Sequence, residues 1–361
     1  MIPSLKKNTS RRIAYLDITR GFLFLLMTST HALTLSAVPR NGFLYSQYWL
    51  PRGWATTGFI MLSGYTVAYI FNWGKNNSAI FGKLRYRAWQ LLIVMFISNV
   101  VLLALAHLSD GNLLPLSQFS WWAGLLTGKT HYSISAILLP SALLLIATPL
   151  LHKLSESLGK WTGLALAVTF AFCSVMLKNA LSKTPSDNQL IAVFITPGLG
   201  DFNILHLWFC GWMGFYMGLI AKKMSPYLAR TTAGIAIFLV IATRFASPIN
   251  STGFTAITKP IYLPCVFISL LSLAIVLERC SSMRAVSSFF SLIGKFALFS
   301  FIMHRIILHS IHLLFSYGFP NMDPVTSYAV LLVGTMLMIW ILCLIRERFD
   351  SFNKGLRNLY L

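Results

Sequence analysis

The chain has 361 residues, of which 56% are hydrophobic and only 11% charged, with a mean hydropathy of +0.70. Soluble domains carry about 25% charged residues, so this composition excludes an ordinary soluble domain and points to a chain built mostly of membrane spans. The net charge of +20 comes from 29 Lys and Arg against 9 Asp and Glu. Because the basic residues sit between apolar runs, they read as cytoplasmic anchors and not as a nucleic-acid surface.

Pro, Gly, Asn and basic clusters cut the chain into about ten apolar segments. They fall near 13–38, 49–72, 86–107, 132–152, 161–180, 203–221, 231–247, 260–278, 289–316 and 325–345. Barrel-type alternation is absent, and helices satisfy their own backbone groups in lipid. The expected fold is therefore all-α, a single polytopic membrane domain over 1–361. The first run, about 26 residues long, exceeds a signal-peptide core and lacks a small-residue cleavage site. Residues 113–126, with Trp121 and Trp122, are short for a span and are expected at the interface or in a re-entrant turn.

With the N-terminus inside, 20 basic residues fall on inner loops and 7 on outer ones, with Arg20 and Arg305 inside spans. That bias predicts both termini in the cytoplasm. The five cysteines, Cys173, Cys210, Cys265, Cys280 and Cys343, form no C-x-x-C pair and lie in or at the ends of apolar runs. Neither a disulfide framework nor a metal cluster is expected.

The first span, "LDITRGFLFLLMTSTH" (16–31), carries the chemistry. Arg20 and His31 are eleven residues apart, three turns plus about 20°, so they share one helix face roughly 16 Å apart along the axis. Asp17 is one turn before Arg20 and can pair with it. Ionisable groups at membrane depth usually face a water-filled cavity. Arginine suits phosphate and histidine suits general base work. A substrate with phosphates at one end and a reactive group about 16 Å away fits this stripe, and a coenzyme A thioester has that shape.

The R-x10-H pair inside L-D-x-x-R-G resembles the acyltransferase-3 superfamily of bacterial membrane O-acyltransferases. More narrowly, the chain resembles the OpgC family, which includes enzymes attaching succinyl groups to periplasmic glucans. Further matching stretches are "FIMLSGYTVAYIF" (59–71), "RAWQLL" (87–92), "LLPSALLLIATPLL" (138–151), "FNILHLWFCGWMGFYMG" (202–218) and "IGKFALFSFIMH" (293–304). Two positions depart from the pattern: Arg85-x-Arg87 replaces R-x-x-R, and Ala297 stands where a serine is common.

The resemblance implies a multi-pass enzyme of the bacterial inner membrane. It would take acyl-CoA (succinyl-CoA or acetyl-CoA) as donor and an envelope glycan as acceptor, with no permanent cofactor. His31 is the implied catalytic base, or the site of an acyl-histidine, and Arg20 with Arg85 or Arg87 is the implied phosphate clamp. Arg85 and Arg87 are expected where a cytoplasmic loop enters the third helix. They diverge by about 200°, so one of them faces the pore; Gln90 shares the face of Arg87. His304 is a pore-lining candidate, and His309 and His312 are expected at the outer interface. Asp201 and Asn203 in "TPGLGDFN" either touch a sugar hydroxyl or cap the next helix. The "LSGY" of 62–65 reads as a close helix contact.

The nine acids argue against other chemistries. Only Asp17 lies well inside a span, too few for the carboxylate relay of a proton-coupled transporter or the facing pair of a glycosidase. No G-x-S-x-G elbow occurs. The competing reading is a glycan or lipid exporter that uses the same pore without acyl transfer.

Overall fold

A computed structural model describes residues 13–39, 44, 54–71, 73, 77–109, 117–127, 135–181, 204–246, 252–319 and 322–352. Among the described residues the chain is helical, with no strand. The helices are α1 Ala14–Leu35, α2 Trp54–Ile70, α3 Asn77–Ser109, α4 Phe119–Thr127, α5 Ser135–Ser157 and α6 Lys160–Leu181. They continue as α7 Ile204–Ala221, α8 Pro226–Ala246, α9 Thr252–Arg279, α10 Arg284–Lys295, α11 Ala297–Gly318 and α12 Pro324–Phe352.

Six of these, α3, α5, α6, α7, α11 and α12, are long and apolar enough to cross a membrane, or up to seven spans if the bent pair α9–α10 is counted as one. α2, with 17 residues, is shorter. α1 has the length but carries Asp17, Arg20 and His31. Apolar side chains such as Ile93, Phe96 and Ile97 on α3 and Ile235, Phe238 and Ile241 on α8 are exposed. Stripes of this kind suit contact with lipid tails.

α1 is the hub of the described bundle, packing on α2, α9, α10, α11 and α12. α2 in turn lies along α7. Their approach is backbone to backbone: a Cβ on Gly64 would strike the Gly211 carbonyl, and one on Gly214 would strike the Met61 carbonyl. The "LSGY" glycine therefore does what the sequence suggested, permitting close helix packing. Around this seam the core closes with Leu23, Ile60, Met61, Leu144, Phe215 and Tyr216.

Two boundaries differ from the sequence reading. α3 begins at Asn77, so Arg85 and Arg87 lie well inside a helix and not at a loop junction. Ile80, Leu84 and Ala88 are buried at four-residue spacing, and that stripe carries the helix back through the basic stretch. The late segment 289–316 is also two helices. α10 ends at Lys295 and α11 starts at Ala297, with Phe296 off the helical line at φ −108°, ψ 35°. Upstream, α10 with its short 3₁₀ turn bends 97° away from α9. The α10–α11 break is held by Ser300 Oγ donating to the Ile293 carbonyl (3.3 Å), by the Lys295–Glu347 ion pair (2.5 Å), and by Arg346 over the Phe296 ring (4.9 Å).

Of the 113–126 segment, residues 113–116 lie outside the described residues and the remainder leads into the nine-residue α4. Trp121 anchors it, its indole N–H donating to His107 Nε2 of α3 (3.2 Å).

Candidate active site

α1 places its polar side chains at two levels. At the lower level Arg20 Nη1 donates to Asp17 Oδ1 (2.5 Å) and Nη2 donates to Thr66 Oγ1 of α2 (3.2 Å). Asp17 is buried, so the pair is sheltered rather than snorkelling in solvent, and its attraction is stronger than that of an exposed pair. The level is fixed from behind by α10. A Cβ on Gly294 would strike the Asp17 carbonyl, and a Cβ on Gly21 would strike the Phe290 carbonyl. The glycine near the start of "IGKFALFSFIMH" is thus required by the backbone of the Asp17–Arg20 turn.

Arg87 of α3 lies within electrostatic reach of Arg20. It donates to Gln90 Oε1 (2.9 Å), one turn on along the same face. Gln90 is neutral, so this contact orients the guanidinium without cancelling its charge. Arg85 is exposed, as are its neighbours Tyr86 and Trp89. The structure therefore separates the two arginines that spacing left equivalent: Arg87 joins Arg20, and Arg85 points away.

The phenols of Tyr15, Tyr65 and Tyr69 meet beside this level, with the rings of Tyr65 and Tyr69 stacked at 5.5 Å. Neither they nor Thr66 stood out in the sequence. The signal was present only as hydroxyl-bearing residues flanking "LSGY", and it has meaning only once α2 is set against α1.

At the upper level His31 is half-buried. Its ring stacks on His304 of α11, with centroids 5.5 Å apart and planes 23° apart. His304 is 1% exposed and enclosed by Phe24 and Phe301. Its Nδ1 is 2.6 Å from the Phe301 carbonyl, a contact that assigns the proton to Nδ1, because a carbonyl only accepts. His304 Nε2 is then a lone pair, buried and without a hydrogen-bond partner among the described residues. Arg305 and His309 also lie within electrostatic reach of His31. Asn203 and Asp201 lie outside the described residues.

The arrangement is thus a pair of guanidinium groups, one of them balanced by a carboxylate, and a pair of imidazoles roughly 16 Å further along the same helix. Arginine forks suit phosphate oxygens, and a neutral imidazole can take a proton from a hydroxyl.

No curated protein and no solved structure matches the chain. A family model described as an acyltransferase domain, that of the acyltransferase-3 family, matches residues 13–344. That interval runs from the turn before α1 into α12 and includes both levels of the site. The chain accordingly belongs to the acyltransferase-3 family, and it is a membrane acyltransferase.

Proposed function

We propose that this enzyme is an O-acyltransferase of the bacterial inner membrane, close in type to the OpgC family. It moves a succinyl or acetyl group from cytoplasmic acyl-CoA to a hydroxyl of an envelope glycan. The observation that carries the proposal is the two-level stripe of α1: Arg20 with Arg87 at one level and His31 with His304 at the other, a pantetheine arm apart.

In this reading both termini are cytoplasmic and the arginine level faces the cytoplasm. Arg20 and Arg87 hold the phosphates of the donor, and Asp17 and Gln90 keep the two guanidinium groups in position. The thioester then lies beside His31. His31 removes the proton from the acceptor hydroxyl, and the oxygen attacks the thioester carbonyl. The carbon–sulfur bond breaks, the proton passes to the departing thiolate, and the products are an O-acyl ester and free coenzyme A. Asn203, the residue before α7 in the sequence, is assigned to acceptor contact.

Proteoliposomes test the scheme. Acyl-CoA supplied on the Arg20 side and glycan on the His31 side should yield acylated glycan without any acyl carrier crossing first. Product formed only when both substrates share one side would overturn the through-membrane route. Transport of unmodified glycan with no thioester consumed would favour an exporter instead.

A further inference from the structure

At the end of the bundle opposite Arg20, the ends of three helices enclose a half-open groove of about 230 Å³. Its walls include Leu35 and Ser36 at the end of α1, His312, Phe315 and Phe319 on and after α11, and Ser327 near the start of α12. We propose that this groove is a remote acceptor subsite, which holds one neutral sugar ring of the glycan some way along the chain from the unit being acylated. The proposal rests on the acyl-transfer reading above and adds a place for the acceptor.

Position is the first argument. Leu35 follows His31 by four residues on one stripe of α1. Phe315 follows His304 by eleven, the same spacing that puts Arg20 and His31 on a common face. The seam between α1 and α11 therefore leads from the histidine pair to the groove. Between them the seam is filled by Ala32, Leu33, Val38, Leu308, Tyr328 and Leu331, a cluster separate from the main core. Tyr328 is fastened to α1 by its hydroxyl at 2.6 Å from Ser29 Oγ. A ligand against Phe315 is thus held roughly 16 Å along α11 from His304, behind that packed cluster, as suits a more distant sugar of an extended chain.

The lining chemistry selects the ligand. The described lining contains no Lys, Arg, Asp or Glu, which disfavours an anion or a cation. Two of the three helix ends are C-termini; Ser36 and Phe319 cap the Ala32, Leu33 and Phe315 carbonyls there, and the hydroxyl of Ser327 adds a polar group to the third wall. Ala37, at φ 52°, turns the chain sharply at the α1 end. Phe315 and Phe319 stack at 5.6 Å and 28°, and Phe319 is 61% exposed. Such a platform suits the apolar face of a pyranose. A lipid tail would have no use for the polar helix ends. The groove is also smaller than the roughly 300–1,000 Å³ of pockets that enclose drug-sized ligands, so one ring fits while the rest of the chain stays outside.

The test uses the full-length protein in nanodiscs and a short linear gluco-oligosaccharide as probe. Phe319→Ala should weaken oligosaccharide binding about tenfold, the upper range for losing one aromatic contact, and raise the acceptor KM to match. Acyl-CoA affinity and kcat at saturating acceptor should stay as in the parent, and Phe319→Trp should restore binding. Unchanged oligosaccharide affinity in Phe319→Ala, or no oligosaccharide binding by the parent protein, overturns the subsite. The acyl-transfer reading fails on a different measurement, the absence of acceptor-dependent coenzyme A release by the parent.

Discussion

Arg20 and His31 sit on one face of one helix, yet their surroundings differ in kind. Arg20 is tied to Asp17 on its own helix and to Thr66 on α2, and α10 presses against the backbone of the Asp17–Arg20 turn. His31 meets a ring, and that ring's own Nε2 is buried without a hydrogen-bond partner among the described residues. A binding cation gains from being held in one geometry before the ligand arrives, because less ordering remains to be done. A proton acceptor must keep a lone pair open for the group it serves. One level is therefore tied down by protein contacts, while at the other the half-buried His31 imidazole is the group left to meet a hydroxyl.

The sharpest way to break this comparison is at the open level. His31→Ala is expected to lower acyl transfer by about 10²- to 10⁴-fold, the usual range for a general base. Melting temperature and acyl-CoA affinity should stay near those of the parent, because His31 has no hydrogen bond that the lower level needs. Turnover of coenzyme A release by purified protein is the measurement. Near-normal turnover would remove His31 from the chemistry and leave the arginine level without a reaction to serve.

The saturated level offers a matched pair of arginines. Arg87→Ala should raise the KM for acyl-CoA by about 10- to 100-fold, equivalent to losing a charge-assisted bond of about 1.5–3 kcal/mol. Arg85→Ala should change it less than about twofold, since an exposed charge acts through screened solvent. The same titration applied to Arg20 should rank Arg20→Ala as weaker than Arg20→Lys, and both as weaker than the parent. Lysine keeps the charge but cannot reach Asp17, Thr66 and phosphate with one planar fork. Equal affinities for the Arg85 and Arg87 variants would dissolve the distinction between them.

What the sequence disclosed and what it withheld follow the same physical line. Intrahelical relations were legible: the Asp17–Arg20 pair, the shared face of Arg20 and His31, and Arg87 with Gln90 all follow from 3.6 residues per turn. Relations between helices were not. Nothing in the spacing says that Thr66 completes Arg20, or that His304 stacks on His31 with its Nδ1 against the Phe301 carbonyl. The α10–α11 break was also hidden, because "SLIGKFALF" is apolar enough to read as the interior of one span. Its causes, the contact of Gly294 with α1 and the Lys295–Glu347 pair, lie in distant sequence.

Glycines give a stability counterpart to the site comparison. Gly214 meets the Met61 carbonyl, whereas Gly234 on α8 faces open space. Gly214→Ala should cost about 1–3 kcal/mol through forced separation of α2 and α7. Gly234→Ala should stabilise by about 0.5–1 kcal/mol through helix propensity alone. Denaturant or thermal unfolding in the same lipid nanodisc reads both. A Gly214→Ala protein as stable as its parent would mean that the α2–α7 seam is looser than the backbone contact requires, and that Thr66 is not rigidly set opposite Arg20.

A single lost hydrogen bond is the most direct probe of that last link. Thr66→Val keeps the shape of the side chain and removes only the acceptor for Arg20 Nη2. Arg20 retains its bond to Asp17, so its charge and its place on α1 are preserved. What is lost is the second anchor, which stops the guanidinium plane from turning. The cost should be that of one ordinary hydrogen bond, about 0.5–1.5 kcal/mol, read as a rise of about 2- to 10-fold in the KM for acyl-CoA with kcat at saturation unchanged. The split matters, because general disruption of the α1–α2 contact would lower kcat and melting temperature as well. If Thr66→Val lowers kcat while sparing KM, then Arg20 is felt at the histidine level and the two ends of α1 do not act separately. If neither constant moves, Asp17 alone suffices to hold the clamp, and the contrast between a saturated and an open level rests on a single ion pair.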